Sequence, residues 1–361
     1  MKKIVCFHLL NDYSGSPKVL FMVLKGLIKQ GYSIDLISSR GGVLDELAGI
    51  RKFKKYSYKY VFSDKTVVTF LRYATIQLFT FFFAFRYLFA KNCVFYINTL
   101  LPVGPALAGR IMRKKVIYHY HENAFAKGAF YKVLAWGMQL LAHKIICVST
   151  YQASFLKSSK KVLVIPNALP QEFVKKLCPN PQKAFEYKNV LMLSSLKEYK
   201  GTREFIELAN RLPQFNFTLI INDVKEKIDR YMKQNALVHS ENLSIYPRQA
   251  AVLKFYVKAT LVVNLTNPRL AIETFGLTAL EAMAAGLPII VPTIGGIAEL
   301  VEDGINGYKI DVQELDKICE RITSILSEEK NYMNLAKKSL EYSQKYSEKE
   351  MVDCIANVLR K

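Results

Sequence analysis

The chain has 361 residues, of which 51% are apolar, and it carries a formal charge of +21. At ~150 residues per domain this length suits two domains, and the composition excludes the disordered and low-complexity classes. The charge is lopsided: residues 1–170 hold 25 Lys+Arg against 6 Asp+Glu, a net +19, and residues 171–361 hold 26 against 24, a net +2. The first half is therefore expected to be drawn to something anionic, either a membrane face or nucleic acid. Cys6, Cys93, Cys147, Cys178, Cys319 and Cys354 are scattered, with no C-x-x-C pair. That excludes a disulfide framework or zinc site and reads as reduced, buried thiols in a cytosolic protein.

In chain order, MKKIVCFHLL begins like a secretory signal, but the apolar run is too short and meets Asn11 and Asp12, so KIVCFHLL (3–10) reads as a first strand. PKVLFMVLKGLIKQG (17–31) reads as a helix with Pro17 in its first turn and Gly31 at its stop. SIDLIS (33–38), VFYIN (94–98), KVIYHYH (115–121), KIICVS (144–149) and KVLVIPN (161–167) continue as strands. Between them, RKFKKYSYKY (51–60) reads as a basic solvated face or loop. The phenylalanine-rich stretch from Thr66 to Phe89 has only 13 residues between Arg72 and Arg86, against ~20 for a membrane span. Its first reading is a buried helix. Its second is a helix partly embedded in a bilayer surface, which the basic run supports.

The pattern restarts after residues 170–187, a proline-bearing segment without strong periodicity that marks the domain boundary. NVLMLSS (189–195), NFTLIIN (216–222), NLSIYP (242–247), TLVVNLT (260–266) and PIIVPT (288–293) read as strands, with TREFIELANRL (202–212) a helix. SEKEMVDCIANVLRK (347–361) is a final helix with Met351, Ile355, Val358 and Leu359 on one face, of a kind that can pack back across both domains. The fold class is α/β: two Rossmann-like, doubly wound parallel-sheet domains facing a cleft at their carboxyl edges.

The stretch ETFGLTALEAMAAGLP (273–288) carries the chemistry. It follows the strand TLVVNLT, and its helix LTALEAMAA stops at Gly286 before Pro288. The free amides at the helix start, near Gly276 and Leu277, suit a diphosphate, and Gly276 admits a close ligand. Glu273 and Glu281 would lie ~12 Å apart on one continuous helix. That separation fits a ligand with hydroxyls on both sides of a diphosphate, such as a nucleotide sugar. An ordinary amphipathic helix with a dipole-favoured glutamate is the alternative.

GLTALEAMAAGLPII followed by GGIAELV closely resembles the family 4 retaining glycosyltransferases of the GT-B fold. VSTYQASFL with KVLVIPNALPQEF (148–173), LKEYKGTREFIELANRL (196–212) and IGGIAELVEDGINGYKID (294–311) extend the resemblance over most of the chain. The resemblance implies an acceptor-binding domain over residues 1–170, a nucleotide-sugar domain over 187–340 and a C-terminal helix over 341–361. It implies that Glu273 touches the donor sugar and Glu281 the ribose. The backbone of Phe275, Gly276 and Leu277 contacts sugar and diphosphate, Thr278 adds a hydroxyl, and Lys200 neutralises the diphosphate. SIYPRQAAVLKFYVKA (244–259) resembles the segment packed on the base, with Arg248 beside it. Gly15 and Ser16 lie near donor phosphates and acceptor. His121 matches the histidine that contacts the donor sugar, with His119 two residues back and Glu122 a further polar contact.

Ser195 departs from the pattern. It stands where the family usually has an arginine, so one positive charge is missing, with Lys197 or Arg203 as substitutes. The expected reaction is metal-independent transfer, with retention, from a UDP- or GDP-sugar to a glycan or lipid-linked acceptor in cell-surface polysaccharide or lipopolysaccharide synthesis. No cofactor and no nucleic acid partner are implied. The expected location is cytoplasmic and peripheral on the inner membrane face. Two other classes stay open: a glycosyltransferase-like subunit without turnover, suggested by Ser195, and a basic nucleic-acid-binding protein, suggested by charge alone.

Overall fold

The computed structural model describes residues 3–63, 65–157 and 159–360. Met1, Lys2 and Lys361, which belong to the first-strand and final-helix readings, lie outside the described residues. The chain forms two compact units: residues up to Asn167 together with those from Glu348 on, and Ala168–Ser347. The segment expected to be an aperiodic boundary belongs to the second unit, where Gln171–Leu177 and Pro181–Glu186 are helical.

The first unit is a seven-stranded parallel sheet. Its strands are β1 (Lys3–Phe7), β2 (Ser33–Ser39), β3 (Phe53–Tyr58), β4 (Cys93–Asn98), β5 (Lys115–Tyr120), β6 (Lys144–Cys147) and β7 (Val162–Val164), in the order β3-β2-β1-β4-β5-β6-β7. β1 is buried from Ile4 to Phe7, and β4 along its whole length, because helices cover both faces of a parallel sheet. β3 corrects the reading of the basic run 51–60. FKKYSY is an edge strand paired only to β2, and lysines are the usual dressing of such an edge. Helix α1 (Gly15–Lys29) follows β1. The final helix, Glu348–Arg360, packs against it with Met351, Val352, Ile355 and Ala356 buried, and Gln30 donates to Asp353 at 2.7 Å.

Helix α2 (Thr66–Ala84) overturns the buried-helix reading. It buries only Thr80 and Ala84 completely, and just 11% of its most apolar window is covered. By length and composition alone the run Thr66–Tyr87 is long enough to cross a membrane, because the helix continues through Arg72 instead of starting after it. Its inner side is packed against the rest of the first unit. Tyr73 donates to Leu101 O at 2.8 Å, and Gln77 Oε1 accepts from the Gly104 amide at 2.9 Å. Ala84, Tyr87, Phe95 and Phe7 share one core, which also holds the inner sides of α3 (Val103–Ile111) and α4 (Ala129–Leu141).

The second unit is a six-stranded parallel sheet of β8 (Asn189–Ser194), β9 (Asn216–Ile221), β10 (Leu243–Tyr246), β11 (Leu261–Val263), β12 (Ile289–Val291) and β13 (Gly307–Lys309), in the order β10-β9-β8-β11-β12-β13. The three-residue β13 lies beyond the last strand expected from sequence. The cysteine reading is corrected in part. Cys6, Cys93 and Cys147 are buried in the first sheet, but Cys178 and Cys354 are exposed.

Candidate functional site

In the second unit, β8 and β11 are neighbours, so the turns that leave their carboxyl ends are brought side by side. The Asn267 amide donates to Tyr199 O at 2.8 Å, which ties one turn to the other. Across this seam the Lys200 ammonium pairs with the Glu273 carboxylate, and the Thr266 hydroxyl donates to the same oxygen at 3.1 Å. Burial pushes the Glu273 carboxyl up, yet the charge and hydrogen bond of Lys200, the Thr266 hydroxyl and Lys197 hold it below the usual range. Glu273 is therefore an anion that keeps a lysine at the helix start.

The helix Leu277–Ala284 begins there. Gly276 has φ 93°, and a Cβ on it would sit 2.4 Å from Ile297 Cγ1, so only glycine makes this entry. Behind it the Gly296 amide donates to Glu273 O at 2.8 Å, and at Gly295, with φ 115°, a Cβ would sit 2.6 Å from the same oxygen, which accounts for the first glycine of the pair after β12. Leu277 and Thr278 form the first turn, where backbone amides lack helical partners. The Phe275 side chain is buried, edge-on to Tyr346 at 5.8 Å between ring centroids. Only its backbone is left for a ligand.

Glu281, two positions further around the helix from Ala279, accepts from the Tyr256 hydroxyl at 2.5 Å. Burial, then the charge of Glu281, drive the Tyr256 hydroxyl pKa far up, so it stays a donor. Arg248 sits past β10, its Nε donating to Asn222 Oδ1 at 2.8 Å beyond β9, on the same sheet edge. Of the two substitutes for the missing arginine, Arg203 is engaged elsewhere: its guanidinium donates to Asn235 Oδ1 at 3.0 Å. Lys197 is exposed and is among the charges that act on Glu273.

In the first unit the carboxyl ends of β1, β4 and β5 gather three histidines. The Asn98 side-chain amide donates to His8 Nδ1 at 3.1 Å, and Asn98 Oδ1 lies 3.1 Å from His121 Nε2. His121 therefore carries its proton on Nε2. The ring of His119 lies 4.1 Å from that of His121, and its Nδ1 shares a hydrogen bond with the Tyr96 hydroxyl at 2.7 Å. Burial lowers His8 to about 4 and His119 to about 3, and burial with both neighbours takes His121 well below the usual range. All three are neutral at neutral pH. His119 is fully buried, whereas His121 is half-buried. Glu122 accepts from the Leu100 amide at 3.0 Å, and burial raises its carboxyl above the usual range. Gly15 and Ser16 form the first turn of α1, beyond a Ser14 whose amide donates to Asp12 Oδ1 at 2.9 Å.

Sequence reasoning missed His8, Asn98, Thr266 and Tyr256. His8 and Asn98 had a signal: each is the polar residue at which an apolar parallel strand ends. Tyr256 had none, because its bond to Glu281 joins residues 25 apart.

The group 1 glycosyl transferases match residues 175–342, and the Glycosyltransferase Family 4 matches residues 13–173. An uncharacterized glycosyltransferase of Methanocaldococcus jannaschii is 30% identical over 210 residues, 56% of this chain and 55% of the relative. The N-acetyl-alpha-D-glucosaminyl L-malate synthase of Bacillus anthracis is 37% identical over 79 residues, 21% of each. The matches thus span about half or less of these curated relatives. In fold, the chain is similar over 100% of both chains to Anabaena Alr3699/HepE in complex with UDP and glucose, with TM-score 0.77 at 18% identity. It is also similar to sucrose-phosphate synthase from Thermosynechococcus elongatus, with TM-score 0.80 at 16% identity over 100% of this chain and 98% of that one.

Proposed function

We propose a reaction for this chain from one premise: it belongs to the family 4 glycosyltransferases, with the GT-B fold. It transfers a hexosyl group, with retention, from a UDP- or GDP-sugar to a glycan or lipid-linked acceptor. The setting is synthesis of cell-surface polysaccharide or lipopolysaccharide, on the cytoplasmic face of an anionic membrane. The observation that carries the reading is the Lys200–Glu273 pair at the glycine-gated start of the Leu277–Ala284 helix. It sets an ammonium, backbone amides and a carboxylate around one point.

Each residue has a role in this reading. The diphosphate lies on the helix start, held by Lys200, by the backbone of Phe275, Gly276 and Leu277, and by the Thr278 hydroxyl. Glu273 holds sugar hydroxyls, and Glu281, oriented by Tyr256, holds the ribose. Arg248 lies beside the base. In the first unit, His121 is a neutral hydrogen-bonding partner for the sugar, and Gly15 and Ser16 serve the donor phosphates and the acceptor. The acceptor attacks on the face from which the diphosphate leaves, and positioning with charge stabilisation supplies the rate. Lys200 and the helix start take the place of a metal, so chelation with EDTA leaves turnover intact.

The test is thermal stability against UDP, GDP, ADP and their sugars. A ligand at 100 times its Kd adds about 2.7 kcal/mol. One nucleotide family is expected to stabilise the protein, and Glu281→Ala to abolish that shift. A chain indifferent to the whole panel is the non-catalytic subunit instead.

A further inference from the structure

The first unit has an outer face that the donor chemistry does not use. Of the 27 large apolar side chains exposed among the described residues, 16 lie between Val61 and Leu140. They lie on α2, α3, α4 and the loops beside them, and these helices touch. Phe70 of α2 meets Phe130 of α4 at 6.3 Å, and Gly104 of α3 receives Gln77 of α2 so closely that a Cβ there would lie 2.2 Å from Gln77 O. On α2 the outward residues include Val67, Leu71, Leu78 and Phe82, 59–70% exposed and on one side of the helix by their spacing of four, seven and four. Soluble surfaces rarely carry apolar ground of this extent without an occupant.

The charge around it selects the occupant. Residues 59–161 contain 15 Lys+Arg and only two acids, Asp64 and Glu122, a net +13. Arg72, Arg110 and Lys132 are exposed within turns of Leu71, Leu107 and Trp136. A second copy meeting this face through a two-fold axis would oppose +13 with +13. An anionic bilayer satisfies both features: acyl chains take the apolar side chains, and headgroups take the cations. The helix does not need to cross the bilayer. Its inner side is fixed to the first unit through Tyr73, Gln77 and Ala84, which leaves one face for lipid along ~28 Å of helix.

We infer that the α2–α3–α4 face is a lipid-docking surface that lies flat in the headgroup region of an anionic bilayer. The inference deepens the membrane part of the proposed function and rests on it for the acceptor's location. It does not rest on it for the contact itself.

Trp136 is the chain's sole tryptophan and lies in this face, 58% exposed on α4. The whole protein is mixed with phosphatidylcholine vesicles, with and without phosphatidylglycerol. With phosphatidylglycerol, Trp136 emission shifts to the blue, bromine-labelled acyl chains quench it, and the protein floats with the vesicles. Leu78→Ser with Phe82→Ser weakens flotation by roughly tenfold or more, and Arg110→Glu with Lys132→Glu by roughly tenfold or more with loss of its salt dependence. Far-ultraviolet circular dichroism checks that both variants fold. Flotation with an unshifted Trp136, equal binding to phosphatidylcholine alone, or a lipid-free dimer that shields Trp136 overturns the inference. The nucleotide-induced thermal shift is read on the same samples. Its presence without flotation removes only the lipid surface, and flotation without it removes only the donor reading.

Discussion

The two units are built on one plan, yet their outer helices are opposites. In the second unit the helix Thr202–Arg211 buries Phe205, Ile206, Leu208 and Ala209 and turns Arg203, Glu207 and Arg211 to solvent. In the first unit α2, which follows the edge strand β3 and leads to β4, exposes Val67, Leu71, Leu78 and Phe82 instead. Charge divides the same way: a net +19 over residues 1–170 and +2 over residues 171–361. A shared architecture thus leaves the outward surface open to specialisation. The first unit presents an outward surface both basic and apolar, while the second turns charged residues to solvent and gathers the candidate residues Lys200, Glu273 and Glu281 at one sheet edge.

The sharpest way to break this contrast is at that edge. Glu273→Gln and Lys200→Met are each expected to lower hydrolysis or transfer of the selected nucleotide sugar by about 10²–10³, the usual cost of removing one stabilising group. Because the two side chains form one pair, the double variant is expected to lose little more than either single one. Additive losses would mean that the two residues act at separate points.

Acid sharpens the comparison next. His8 and His119 have folded pKa values of about 4 and about 3 against the ordinary 6.5, so the unfolded state takes up protons first. Stability of the first unit is therefore expected to fall as pH drops from 6.5 towards 4. The loss amounts to several kcal/mol, since each tenfold difference in proton affinity between the two states is worth about 1.4 kcal/mol. In the second unit the depressed Glu273 carboxyl contributes stability above the usual glutamate range, lost only as pH falls through it. Hydrogen exchange followed by mass spectrometry from pH 7 to 4 should show peptides of β1, β4 and β5 losing protection before those of β8 and β11. Simultaneous loss would make the histidine cluster irrelevant to acid stability.

Much of this was legible in the sequence, and the failures are physical. The strand–loop–helix turn holding Glu273, Gly276 and Glu281 is local, so spacing and glycine placement expose it. That Lys200 meets Glu273 needs β8 beside β11, a pairing across 73 residues that periodicity cannot supply. Strand β3 was hidden because an edge strand with Lys54 and Lys55 lacks the apolar run of its neighbours. α2 was misread because an apolar helix has the same sequence whether it faces a core or the surface. The Asn98-linked histidines were only half visible: His121 stood out by resemblance, while His8 passed for part of a strand.

The smallest expected effect concerns the charge that Ser195 does not supply. If a nearby cation compensates, it is Lys197 and not Arg203. The Arg203 guanidinium is already committed to Asn235, whereas Lys197 lies exposed and lowers the Glu273 carboxyl from the same turn that carries Lys200. An exposed charge a few ångströms from a diphosphate is worth about 1 kcal/mol in water-like surroundings. Lys197→Ala is thus expected to weaken nucleotide binding by roughly fivefold, an effect that fades with added salt. Arg203→Ala should stay within ~0.5 kcal/mol of the parent. Titration calorimetry with the nucleotide at two salt concentrations separates them. A larger loss in Arg203→Ala than in Lys197→Ala would show that the helix Thr202–Arg211 takes part in diphosphate recognition. The charged contribution of the second unit would then extend past the Lys200–Glu273 seam.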